Sequence, residues 1–173
     1  MWFKSLFIYR LPTDLTINAA SLEEKLSRQP LQPCGGMDKQ SRGWVSPQGN
    51  GPLVHALNHQ LLIALGVEQK LLPTSIINQF AKDRIAELEA QQGHRVGRKE
   101  TKEIKERVTD ELLPRAFAHR RTTFVWIDPV NGWLVVDAAS PAKADEVLEL
   151  LGKTLDDLPL KLVHTRLSPV TAM

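Results

Sequence analysis

Residues 124–137 read Phe124-Val-Trp-Ile-Asp-Pro-Val-Asn-Gly-Trp-Leu-Val-Val-Asp137. Two runs rich in aromatic and β-branched residues, Phe124–Ile127 and Trp133–Asp137, flank the segment Asp128 to Gly132. Such side chains suit a pleated, half-buried surface. Asp128 and Pro129 initiate a turn, and Asn131-Gly132 tolerates positive φ. The stretch therefore predicts a tight hairpin. Strands joined by tight turns pair antiparallel, whereas parallel strands need long crossovers.

Working outward from this hairpin, Ser140 is placed to cap a helix running to about Leu151, with Pro141 at its first position. Leu160 to Thr165 reads as a last strand. Upstream, Leu53–Leu57 and Gln60–Leu72 read as two strands joined at Asn58-His59, with Gly66 as a candidate bulge. Between these two strand pairs lie two helical patterns. Thr74 or Ser75 caps the first, which runs to about Gln92. Its Ile77, Ala81, Ile85 and Leu88 keep helical spacing, and Ile76 and Phe80 widen the stripe. Gly93 to Gly97 interrupts it, and the second helix spans about Arg98 to Leu113 with Ile104, Val108 and Leu112 on one side.

At the start, Trp2 to Leu11 reads as a strand ended by Pro12. Ser21-Leu-Glu-Glu24 has the form of a capping box opening a short helix to about Gln29. Residues 30–52, rich in Pro and Gly, read as a long irregular connection pinned at Trp44 and Val45. The expected fold is a single α+β domain over residues 1–173. It has a mainly antiparallel sheet with packed helices, and a helical-hairpin arm, residues 74–118, inserted between the two halves of the sheet and projecting from it.

A chain of 173 residues buries enough surface to need no metal or disulfide. The one cysteine, Cys34, forms no internal disulfide, which fits a reducing compartment. The opening apolar run is broken by Lys4 and Arg10, too short and too charged for a signal peptide or a span. A cytoplasmic protein without a membrane partner is expected.

Charge is unevenly spread. Between Gly93 and Arg121 there are nine Lys/Arg against five Asp/Glu, while the whole chain carries +2. A basic stripe on a near-neutral body is the footprint of a polyanion partner, although solvated charged helices with i,i+4 ion pairs are the commoner case. At about 100° per residue, Arg98, Lys102 and Lys105 fall within roughly 60° of arc, beside the apolar Ile104–Val108–Leu112 stripe. Arg95 and Lys99 support this set; Arg120, Arg121, Lys4 and Arg10 are secondary candidates. No base-reading motif accompanies them, so phosphate contacts would dominate. Pro114 in Leu112-Leu-Pro-Arg-Ala-Phe117 should stop or kink the second helix, leaving Phe117 close to Arg115, Arg120 and Arg121. Phe117 there either plugs the local core or anchors another subunit.

Catalytic constellations are weak. Cys34, with His55 and His59 downstream, is a candidate thiol nucleophile and base, against the commoner reading of a small packed cysteine. Asp128 and Asp137 would lie near one edge of the hairpin, where carboxylates can hold Mg²⁺ for nuclease chemistry; a turn-initiating and a strand-ending Asp explain them as well. His94, His119 and His164 are isolated, and no phosphate loop or metal-spaced cluster appears. The reading is of a protein that is not an enzyme and needs no cofactor or metal.

Several segments resemble, in order and spacing, the bacterial recombination-associated RdgC family. They are Trp2-Phe-Lys-Ser-Leu-Phe-Ile-Tyr-Arg-Leu11, Pro33-Cys-Gly35, Gly43-Trp-Val-Ser-Pro47, Lys70-Leu-Leu-Pro73, Leu112-Leu-Pro-Arg-Ala-Phe117, and Trp126-Ile-Asp-Pro-Val-Asn-Gly132 through Val136-Asp137. The resemblance implies a nucleoid-associated DNA-binding protein without strong sequence preference. It also implies a ring-like homodimer whose positive hole encircles duplex DNA and which restrains recombinase loading. On that view Phe117, with neighbouring Leu113 and Arg115, is a candidate dimer contact. Members of the family are longer than this chain, so a clamp rather than a closed ring is an open form. The competing expectation is an interaction module whose helical hairpin docks on protein and whose cations serve only solvation.

Overall fold

The hairpin at 124–137 is present in the computed structural model, which describes residues 3–12, 17–155 and 158–163. In chain order the elements are β1 (Leu6–Arg10), α1 (Ala19–Leu26), β2 (Gln40–Val45), β3 (His55–Leu57), β4 (Gln60–Lys70), α2 (Thr74–Gln92) and α3 (Arg98–Leu112). A 3-10 turn (Leu113–Arg115), β5 (Ala118–Asp128), β6 (Trp133–Asp137), α4 (Pro141–Leu155) and β7 (Lys161–Leu162) follow. The sheet order is β2-β4-β5-β6-β1-β7, with β3 also paired to β4. β5 and β6 are antiparallel with Val125 opposite Val136, and β1 is antiparallel to β6 with Ile8 opposite Val135. The α+β class with a mainly antiparallel sheet holds.

The chain divides into two compact units. One gathers the described residues of 1–31, 42–66 and 122–173; the other gathers 32–41 and 67–121. In the first, alternation puts Val125, Ile127, Leu134 and Val136 in the core. α4 covers them with Ala144, Val147 and Leu151, all fully buried at helical spacing. Trp44 is buried there, and its indole Nε1 donates to Thr154 Oγ1 at 3.1 Å.

The second unit is built on α2 and α3. Ala81, Ile104 and Val108 form its buried centre, with Ile77, Ile85, Leu88, Val96 and Leu112 packed around them. Ala81, fully buried, lets the two helices approach closely. Gly93, at φ 73°, ends α2 in the left-handed conformation, and Glu89 Oε1 accepts from the Val96 amide at 2.9 Å to hold the link. Ile76 and Phe80, read as widening the buried stripe, are instead 38% and 48% exposed.

Other differences are local. Residues 30–52 are not wholly irregular: β2 forms within them, and a parallel bridge joins Pro30 to Trp44. The cap of α1 is Asn18 rather than Ser21; Asn18 Oδ1 accepts from the Ser21 amide at 2.7 Å. Glu24 does not close a capping box but pairs with Arg28 at 2.8 Å. α2 begins after Pro73, with no side-chain cap from Thr74 or Ser75. β5 starts six residues before Phe124, at Ala118. Gly66 packs rather than merely bulging: a Cβ there would stand 2.6 Å from Val45 Cγ1. The expected Trp2 start and Thr165 end of the outer strands lie outside the described residues.

Candidate nucleic-acid interface

α3 carries its cations on water-facing positions because Ile104 and Val108 take the side against α2. Arg95, Arg98, Lys99, Lys102 and Lys105 are all exposed. Lys102 reaches Glu106 at 3.7 Å, with the two side chains 80% and 64% exposed. Such an open i,i+4 pair contributes at most about 0.5 kcal/mol and competes poorly with a phosphate. Glu111 on the same helix is turned to the other side, where it pairs with Arg84 at 3.3 Å.

A lysine distant in sequence joins this surface. Lys39, Lys102, Lys105, Thr109, Met37 and Leu113 line a cleft of ≈ 430 Å³, together with Glu106 and Asp110. The loop bearing Lys39 is held locally. The Lys70 amide donates to Lys39 O at 2.9 Å, Lys70 Nζ donates to Gly36 O at 2.9 Å, and Asp38 Oδ2 accepts from the Gly35 amide at 3.1 Å. Sequence reading missed Lys39 because nothing local marks it; it lies more than sixty positions from Lys102.

The secondary candidates are engaged to different degrees. Arg120 donates to Glu68 through Nε at 3.2 Å and Nη2 at 2.7 Å. The Cys34 amide, first, and the Arg120 side chain, second, hold the Glu68 carboxyl below its ordinary range. Arg121 is half-buried. Arg10 stacks on Trp133, 4.0 Å from the ring centroid, and donates to Asn131 O at 3.1 Å. The backbone amide of Lys4 donates to Asp137 Oδ1 at 3.0 Å. Of the candidate dimer contacts, Phe117 is 85% exposed and Leu113 is buried at 3%, while Arg115 is exposed on the 3-10 turn.

The paired-aspartate reading loses its geometry. Asp128 lies opposite Trp133, whereas Asp137 lies opposite Leu6 on β1. Four positions along a strand separate the two residues, about 14 Å at ~3.4 Å per residue, too far to share an ion. Each has a structural task. Asp128 accepts from Asn131 Nδ2 at 2.7 Å and from the Asn131 and Val130 amides at 3.0 and 3.1 Å, and these contacts lower its pKa. Asp137 accepts from the Lys4 and Ser5 amides. Among the described residues no three His, Cys, Asp or Glu converge as a metal site. The Cys34 thiol donates to Glu68 O at 3.2 Å, and His59 sits in the β3–β4 turn at φ 64°. His164 lies outside the described residues. No helix among the described residues is long and apolar enough to cross a membrane.

Comparison with known proteins supplies the context for this surface. A family model described as "Putative exonuclease, RdgC" matches residues 1–173. Proteins named recombination-associated protein RdgC from Janthinobacterium sp. (strain Marseille) and Herminiimonas arsenicoxydans are each 60% identical over 173 residues, all of this chain and 58% of either relative. The protein of that name from Dechloromonas aromatica (strain RCB) is 56% identical over the same span, 57% of its length. The chain thus spans less than two thirds of the curated relatives it matches.

Proposed function

Because this chain belongs to the RdgC family, we propose that it is a sequence-independent DNA-binding protein. It would act as a nucleoid-associated homodimer, ring- or clamp-like, that modulates homologous recombination and antagonises recombinase. The observation that carries the reading is the exposed stripe Arg98, Lys102 and Lys105, in which the Lys102–Glu106 ion pair is open to water. Arg95 and Lys99 extend it, and Arg120 and Arg121 contribute at its end. A helix of this length, 15 residues or about 22 Å, reaches several phosphates. Each phosphate neutralised adds roughly −0.9 to the slope of log affinity against log salt. Residues 74–118 would serve as the arm that presents these cations.

The test is binding of a labelled duplex across a salt series. Arg98→Ala, Lys102→Ala and Lys105→Ala combined should weaken binding to unrelated sequences alike and flatten the salt slope by about 2–3 units. An unchanged slope removes the stripe from the mechanism. Little binding by the parent near physiological salt, with assembly retained, would instead favour the protein-interaction module.

The description of the family names an exonuclease. The separation of Asp128 from Asp137 and their structural duties support binding without hydrolysis at that pair. Duplex recovered at full length after long incubation with Mg²⁺ or Mn²⁺ is expected; progressive shortening would overturn the non-enzymatic reading.

A further inference from the structure

The two sides of the α2–α3 pair differ in charge. On one side a ≈ 280 Å³ cavity opens between the helices, lined by Asn78, Ala81, Lys82, Ile85, Thr101 and Lys105. Lys105 also lines the ≈ 430 Å³ cleft that holds Lys39 and Lys102. Lys82 belongs to the first of these hollows only, and Lys39 to the second only. On the other side, a ≈ 400 Å³ groove floored by Leu88, Ile104 and Val108 sets Arg84 and Arg107 against Glu87 and Glu111. Its charges cancel, and Arg84 is bonded to Glu111. The first side carries four lysines against Glu106 and Asp110, of which Glu106 already faces Lys102.

We propose that a nucleic-acid backbone crosses the helix pair at Lys82, Lys105, Lys102 and Lys39, rather than following α3 along its axis. This rests on the DNA-binding reading above and gives it a direction and two further contact residues. Lys105 lines both hollows, so lysines from α2, α3 and the segment before β2 share one side of the helix pair. Glu106 and Asp110 line the cleft of Lys39, Lys102 and Lys105, and Glu106 is held by Lys102, so lysines outnumber acids on this side of the helix pair. The crossing route meets lysine on both flanks of α3. Lysine is a point charge on a flexible stem, suited to phosphates at varying spacing and to contact without base reading. The neutral opposite groove is left out of the contact.

The experiment measures fluorescence anisotropy of a labelled duplex with the 173-residue chain over a salt series. Lys39→Ala with Lys82→Ala is compared with Arg84→Gln with Arg107→Gln, which removes the same charge from the other side. All four residues are on the surface, and a thermal melt confirms folding. The lysine variant should bind roughly tenfold more weakly at about 0.1 M salt and lose about 2 units of salt slope. The arginine variant should match the parent. A lysine variant with the parent's slope, or an arginine variant that loses as much, overturns the crossing. If in that case the Arg98/Lys102/Lys105 variant still loses binding, DNA contact stands and only the route falls. A parent chain that binds no duplex overturns the DNA reading itself.

Discussion

Arg120 donates twice to a single oxygen of Glu68, Nε at 3.2 Å and Nη2 at 2.7 Å, while the other oxygen accepts from the Cys34 amide at 2.9 Å. A carboxylate that is 9% exposed is thereby satisfied on both oxygens. The Arg120 side chain as a whole keeps more than half of its surface, 57%, in solvent.

This pairing predicts an acid-sensitive contribution to stability. The Glu68 carboxyl titrates below its ordinary value of 4.5, chiefly through the Cys34 amide and then Arg120. A depressed folded pKa gives stability that is fully present above the unfolded value and is lost as pH falls through the folded one. The melting temperature of the parent should therefore exceed that of Glu68→Gln near neutrality, and the gap should close below about pH 4.5. A constant gap across the acid range would show that ionisation of Glu68 is not what the contacts stabilise.

Asp128 organises the β5–β6 turn through three hydrogen bonds to Val130 and Asn131. Asp128→Ala leaves partly buried donors unpaired and should cost about 1–3 kcal/mol in urea denaturation. A loss below about 0.5 kcal/mol would mean that Gly132, at φ 71°, holds the turn unaided.

Gly43 lies against the backbone of Leu31. A Cβ at Gly43 would stand 2.3 Å from Leu31 N, which itself donates to Trp44 O at 3.0 Å. Gly43→Ala must force two backbones apart and should cost about 3 kcal/mol or more. Gly36→Ala, with nothing within 4 Å, should change stability by less than about 0.5 kcal/mol. Equal effects in one denaturation series would refute the close approach.

Phe117 and Leu113 separate surface from core. Phe117→Ser removes an 85% exposed ring and should leave unfolding nearly unchanged while shifting sedimentation toward the monomer. Leu113→Ala, at 3% exposure, should cost about 2–5 kcal/mol whatever the assembly state. Concentration-independent sedimentation in both parent and Phe117→Ser would dismiss Phe117 as an anchor.

The class of the fold and the order of most elements were decided by the chain itself. Alternation across Phe124–Asp137, the Asp128–Gly132 turn, and the 3.6-residue spacing of Ile77, Ala81, Ile85, Ile104 and Val108 are local signals. The cation stripe on α3 is local in the same sense. Tertiary structure alone decided what depends on distant partners. β2 pairs with β4, and a glycine at 43 lets Trp44 also bond to the backbone of residues 29–31. Glu68 finds Arg120 across 52 positions. Lys39 shares a cleft with Lys102 and Lys105, and Lys70, distant in sequence, bonds to its loop. Periodicity reports which face a residue occupies within its own element; which element then arrives against that face is set by packing over the whole chain, and no short stretch of sequence contains it.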